Sequence, residues 1–242
     1  MSQPRALCAS LLLLLIMILP AHAENAVIAS GAGYKKMVNA LNAAYKHETG
    51  RSLDILFGNM GRVLMLAKQS GKVDLVLGDE SFLVGNNLSL SVRQELGKGK
   101  LVLAFAESSA FSTESDLDTI KAQRIALPDF KKAVYGKAAR EYLINSGRLP
   151  RIQPKLVEVA TVPQVFSYLT TNEVDMGFLN LTHALNVADK LGGFVVIDES
   201  QYSPIHIMTG LLRTSRHKEE AMVFLKFLKT PLAQSIIHEN GL

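Results

Sequence analysis

A single cysteine, Cys8, occurs in 242 residues, and it lies in an N-terminal segment that reads as a removable leader. A chain without that segment has no thiol. This excludes disulfide bracing, cysteine-based zinc sites and a cysteine nucleophile, and it suits folding in an oxidising compartment on a hydrophobic core alone. Strong charge is lacking as well. Lys and Arg number 26 against 22 Asp and Glu, and removing Arg5 with the leader leaves +3, too mild over this length to mark a nucleic-acid or membrane surface. Catalytic signatures are missing too, with no P-loop, no H-E-x-x-H and no G-x-S-x-G. Gly31-Ala32-Gly33 opens like a dinucleotide fingerprint, but Lys36 stands where the third glycine belongs. His47, His183, His206, His217 and His238 show no metal-ligand spacing, and no nucleophile can be paired with a base. The expectation is a protein with no cofactor or metal that is not an enzyme.

Long apolar runs are confined to one place. Leu11 to Leu19 follows a basic start at Arg5 and precedes Pro20-Ala21-His22-Ala23, the order of a signal peptide with an A-x-A cleavage site. The run is shorter than the roughly 20 residues that cross a bilayer. Cleavage after Ala23 and a periplasmic location are therefore expected. With 48% hydrophobic residues, the chain that follows has ample material for one large domain or two small ones.

From Glu24 onward, short β-type runs alternate with stretches of helical period, the pattern of an α/β protein with a largely parallel sheet. Ala26 to Ala29 reads as a strand, and Tyr34 to Glu48 as a helix with Met37, Val38, Leu41, Ala44 and Tyr45 on one face, stopped at Gly50. Leu53 to Phe57 and Asp74 to Leu77 read as strands flanking a helix, Gly85 to Leu90 as a loop, and Lys100 to Ala106 as a buried strand. A Ser-rich break, Glu107 to Ser115, marks a crossing into a second region. There the rhythm repeats until Ile205 to Leu212 and the helical stretch Lys218 to Lys229 return the chain to the first. This divides the chain into a leader (1–23), one lobe (24–106 with 205–242) and a second lobe (107–204). A single doubly wound sheet would give the same alternation.

The strand-to-helix junctions Ala29 to Gly33, Gly58 to Gly61, Lys132 to Gly136 and Ala160 to Pro163 are built of small, Gly or hydroxyl residues. Helix N-termini there expose free N–H groups and a positive dipole end, which attract anions. For any one junction a turn or a helix cap explains the residues equally well. Convergence of several in one cleft would make a site, and in parallel α/β sheets such junctions share the carboxyl edge. Lys35-Lys36 and Lys131-Lys132 would add local positive potential.

Ala29-Ser30-Gly31-Ala32-Gly33-Tyr34, with Ala44 to Gly50 (A-Y-K-H-E-T-G), resembles the first strand, loop and helix of the periplasmic molybdate-binding proteins of ABC importers. Gly136 to Leu143, Glu173 to Phe178, Phe224 to Leu228, Thr230 to Gln234 and Asn240-Gly241-Leu242 extend the resemblance over nearly the whole chain. It implies a two-lobed periplasmic-binding-protein fold, each lobe a mainly parallel sheet flanked by helices, joined by a hinge of two crossings. It also implies a monomer that holds a small oxyanion, molybdate or tungstate first, and passes it to a permease at the inner membrane, with no nucleic acid involved. Carried over by position, the family's ligands fall on Ser30, on Met60 or its neighbour Asn59, on the amides near Tyr135 and Val162, and on Asn180. Met60 and Asn180 replace hydroxyl residues, which leaves room for a different oxyanion, a small carboxylate, or an adhesin on the same scaffold.

Overall fold

The computed structural model describes residues 24–242, so the expected leader lies outside the described residues. In chain order the elements are β1 (Val27–Gly31), α1 (Lys35–Thr49), β2 (Asp54–Gly58), α2 (Met60–Gln69), β3 (Leu75–Asp79), α3 (Glu80–Gly85), β4 (Leu90–Gly99) and β5 (Leu101–Phe105). Then follow β6 (Ile125–Pro128), α4 (Val134–Asn145), α5 (Leu149–Ile152), β7 (Leu156–Val159), α6 (Val162–Thr170), β8 (Met176–Asn180), α7 (Leu181–Leu185), β9 (Gly193–Val196), β10 (Ile205–Leu212), α8 (Lys218–Phe227) and α9 (Pro231–Glu239). The first helix illustrates why the sequence folds as it does. Met37, Val38, Leu41 and Tyr45 form its buried stripe, and Gly50, at φ 71°, closes it in the left-handed conformation with its N–H donating to the Lys46 carbonyl.

Two five-stranded sheets result, ordered β2-β1-β3-β10-β4 and β7-β6-β8-β5-β9. In each, three neighbouring strands run parallel, and the other two are added antiparallel. Both sheets are thus mixed, flanked by helices, in the two-lobed arrangement. Their interior strands are buried on both faces, β3, β5 and β8 along their whole length, and this reads in the sequence as near-continuous apolar runs.

The first crossing falls elsewhere than the sequence suggests. Lys100 alone separates β4 in the first sheet from β5 in the second, where β5 pairs with β8 and β9. The stretch Leu101 to Ala106 therefore belongs with the second lobe, and the Ser-rich segment after it is a loop within that lobe. The chain returns between Val196 and Ile205. The cause of the shift is β4, ten residues that alternate between buried or half-buried and exposed positions along L-S-V-R-Q-E-L-G-K-G. As an edge strand it exposes charged side chains and lacks the apolar run that marks an interior strand.

A candidate anion cleft at four helix N-termini

Parallel pairing places Gly31 and Gly58 opposite each other at the carboxyl ends of β1 and β2. In the second sheet, Pro128 and Val159 are likewise partners at the ends of β6 and β7. The junctions that follow these four strands face one another across the lobes and enclose a cavity of about 30 Å³. Its wall is formed by Gly31, Ala32, Gly33 and Tyr34, by Gly58, Asn59 and Met60, by Ala133, Val134 and Tyr135, and by Thr161 and Val162. The space suits a ligand of a few atoms. Among the described residues no charged side chain lines it.

Donors come from the backbone. The first-turn N–H groups of a helix lack intrahelical partners, and neither α4, entered through Ala133, nor α6, entered through Thr161, receives a side-chain cap. The 3-10 turn Ala32–Tyr34 that leads into α1 is also uncapped. Of the four junctions only that of α2 is capped, by Asn59, whose Oδ1 accepts from Arg62 N–H at 3.0 Å. Gly61 N–H is used across the cleft, donating to the Lys132 carbonyl at 3.1 Å. The remaining first-turn dipoles converge on a small space with mainly apolar walls, where a compact anion finds donors and little competing water.

The lobes meet around this cavity. Asn59 Nδ2 donates to the Ala160 carbonyl at 3.2 Å, Asn180 Nδ2 to the Gly33 carbonyl at 3.2 Å, and Lys36 Nζ to the Asn186 carbonyl. The Tyr34 and Tyr135 hydroxyls lie 2.6 Å apart, one from each lobe. Burial, and after it the neighbouring phenol, raises the Tyr34 pKa well above its ordinary value, and burial does the same for Tyr135. Both are neutral at physiological pH. Gly33 permits the contact with Asn180, since a Cβ there would stand 2.6 Å from Asn180 Oδ1.

Of the six residues singled out from sequence, Asn59, Met60, Tyr135 and Val162 reach the cavity wall. Ser30 does not. It is fully buried within β1, and its hydroxyl donates to the Gly31 carbonyl at 3.3 Å; the residues of that junction on the wall are Gly31 to Tyr34. Asn180 is fully buried behind Gly33, and its Oδ1 has no hydrogen-bond partner among the described residues. Met60 is 2% exposed and packs over β3, where a Cβ on Gly78 would lie 2.5 Å from its sulfur. Gly78 supplies the room that this thioether occupies. Tyr34 is the residue that sequence reasoning missed; its position after a Gly-Ala-Gly turn was visible, but its partner lies 101 residues away.

Serine, histidine and aspartate do meet in the first lobe, at the opposite edge of the sheet. Asp74 accepts from Ser215 Oγ at 2.7 Å and lies 3.0 Å from His217 Nδ1. The serine bonds the carboxylate and not the imidazole, so the order needed to activate a nucleophile is absent. Val27, Arg216 and His217 N–H groups complete the carboxylate's shell at 2.8, 3.1 and 3.2 Å. Among the described residues no cluster of three or more His, Cys, Asp or Glu could hold a metal, and no helix is long and apolar enough to cross a membrane.

The profile of the family described as bacterial extracellular solute-binding protein matches residues 26–242. The chain belongs to that family. Among relatives of these solute-binding proteins, the molybdate-binding protein ModA of Rhodobacter capsulatus is 26% identical over 248 residues, covering 98% of this chain and 95% of its own. The fold superposes on the periplasmic molybdate-binding protein of Azotobacter vinelandii with a TM-score of 0.82 at 23% identity, over 90% of this chain and 98% of that one. PEB3 with L-phospholactate bound, a protein of Campylobacter jejuni, shares the fold at a TM-score of 0.69 and 14% identity, over 90% and 98% of the two chains.

Proposed function

We propose that this solute-binding protein captures a small tetrahedral oxyanion, molybdate or tungstate first, in the periplasm and delivers it to the permease of an ABC importer. The observation that carries this reading is the convergence of four helix N-termini, three without a side-chain cap, on a cavity of about 30 Å³ that no charged side chain among the described residues lines. Backbone amides held by the fold are donors only, and they suit an anion whose oxygens are all acceptors. Lobes that meet through hydrogen bonds around the cavity support a cycle in which ligand binds to one lobe, the other closes over it, and the closed form docks on the permease. The protein acts as a receptor rather than a catalyst, and as a monomer. The molybdate-binding relatives support the choice of anion.

A second reading has an observation of its own. Asn180 Oδ1 is a buried acceptor without a partner among the described residues, directly behind Gly33 of the wall, and if the lobes open at Gly33 so that a ligand reaches it, it favours an oxyanion that carries a proton, such as hydrogen phosphate. A thermal-shift screen of residues 24–242 against molybdate, tungstate, sulfate, phosphate and phospholactate separates the two. At 100 times its dissociation constant, a ligand of the native state stabilises by about 2.7 kcal/mol. A shift with molybdate and tungstate supports the first reading, a shift with phosphate or phospholactate alone supports the second, and no shift with any of them defeats both.

A further inference from the structure

Tyr34 and Tyr135 both line the cavity, one from each lobe, with their hydroxyl oxygens 2.6 Å apart. Tyr135 reaches toward the hinge, where its hydroxyl lies close against Gly99 at the end of β4, in space that any side chain at position 99 would fill. Two phenols carry two O–H hydrogens, and the bond between them uses one. Among the described residues neither phenol makes a further hydrogen bond, so the other hydrogen is unused. Asp79 is near enough to act on both phenols through its charge, yet it is not hydrogen-bonded to either.

We propose that the Tyr34–Tyr135 pair is the side-chain donor of the anion site: one phenol donates to the other, and the second turns its free O–H to an oxygen of the bound anion. The proposal rests on the anion-receptor reading and names the residues that replace the hydroxyls absent at Met60 and Asn180. It makes the donor a property of closure, since neither lobe alone holds both phenols in place. It also makes the two hydroxyls interchangeable toward the ligand. If one is removed, the other no longer has a phenol to donate to, and its single hydrogen goes to the anion.

That interchangeability separates a ligand donor from a mere latch between lobes. The test is calorimetry on wild type, Tyr34→Phe, Tyr135→Phe and the double variant, titrated with whichever of molybdate, tungstate, sulfate and phosphate binds wild type most tightly. Phe keeps the ring and its packing, and the melting temperature of each variant checks that the fold is retained. The expected result is that each single variant weakens binding only a few-fold, while the double variant weakens it by roughly ten- to a hundred-fold, the effect of losing a hydrogen bond to a charged group. A latch is lost completely with either hydroxyl, so single variants as weak as the double overturn the proposal; so does a double variant that binds like wild type. If wild type binds none of the four anions, the receptor reading itself has failed and the proposal falls with it.

Discussion

Strand β3 is bounded by an aspartate at each end, and the two are held in opposite ways. Asp74, just before the strand, is 1% exposed. Burial alone would raise its pKa, but the hydrogen bonds from Val27, Ser215 and His217 outweigh that and hold it below its ordinary value. Asp79, at the carboxyl end, is 3% exposed and accepts from Ser81 Oγ and Phe82 N–H. There burial wins over these bonds and over the charge of Lys137, and the pKa is raised. The same residue type in the same strand is a satisfied knot at the amino edge and an under-solvated charge near the cleft. At the amino edge the polar groups are spent on fastening α8 and the strand ends together. At the carboxyl edge, where the cavity lies, polar groups are left with unused capacity, as expected where a ligand completes the set.

Breaking the amino-edge knot should have the largest effect on the fold and none on recognition. Asp74→Ala strands the donors of Val27, Ser215 and His217 in a buried place, and urea unfolding should show a loss of about 3 kcal/mol, the upper range for hydrogen bonds to a charged group. Anion affinity of the folded fraction should be unchanged. The pH dependence follows with its sign. A carboxyl whose folded pKa lies below its unfolded value of about 3.9 contributes stability that is fully present above that value and is lost as pH falls through the folded pKa, so this contribution fades only in strong acid. Asp79 works the other way. Its raised folded pKa makes ionisation a cost to the fold as pH rises from about 3.9 through the folded pKa, and acidification relieves it.

At the carboxyl edge, Asp79→Asn sharpens the contrast. It keeps an acceptor for Phe82 N–H and removes a buried negative charge that acts on the two phenols of the cavity wall. Calorimetry should show anion affinity rising a few-fold, with stability at neutral pH equal to wild type or slightly higher. The smallest effect belongs to Ser30→Ala. Its hydroxyl serves only the adjacent carbonyl and is absent from the wall, so affinity should stay within two-fold and stability within about 1 kcal/mol.

The expectation for Ser30 shows where the sequence is legible and where it is not. Position along a junction could be read, because strands and helices announce themselves by period; α1 and its stop at Gly50 are an example, and strand β10 has the expected bounds. Which side chain turns into the cleft could not be read, because it depends on where strand gives way to helix. With β1 running to Gly31, Ser30 lies inside the strand and its neighbours form the wall. Contacts between lobes were equally hidden. Tyr34 with Tyr135, and Gly33 with Asn180, join residues 101 and 147 positions apart, and neither partner carries a local signal of the other. The crossing at Lys100 was misplaced for a simpler reason, since an edge strand such as β4 has only one covered face to mark it.

The central claim is that amides at helix N-termini, and not lysines, hold the anion. Its most direct test is a calorimetric titration of wild type and of a variant with Lys35, Lys131 and Lys132 all replaced by Gln, which leaves the inter-lobe contact of Lys36 in place, using the anion that the thermal screen selects, at low and at physiological ionic strength. Exposed charges act through a screened field whose Debye length is about 8 Å at physiological salt. The account predicts that the variant binds within a few-fold of wild type at physiological salt and loses affinity mainly at low salt. Loss of binding in the variant at both ionic strengths would contradict it.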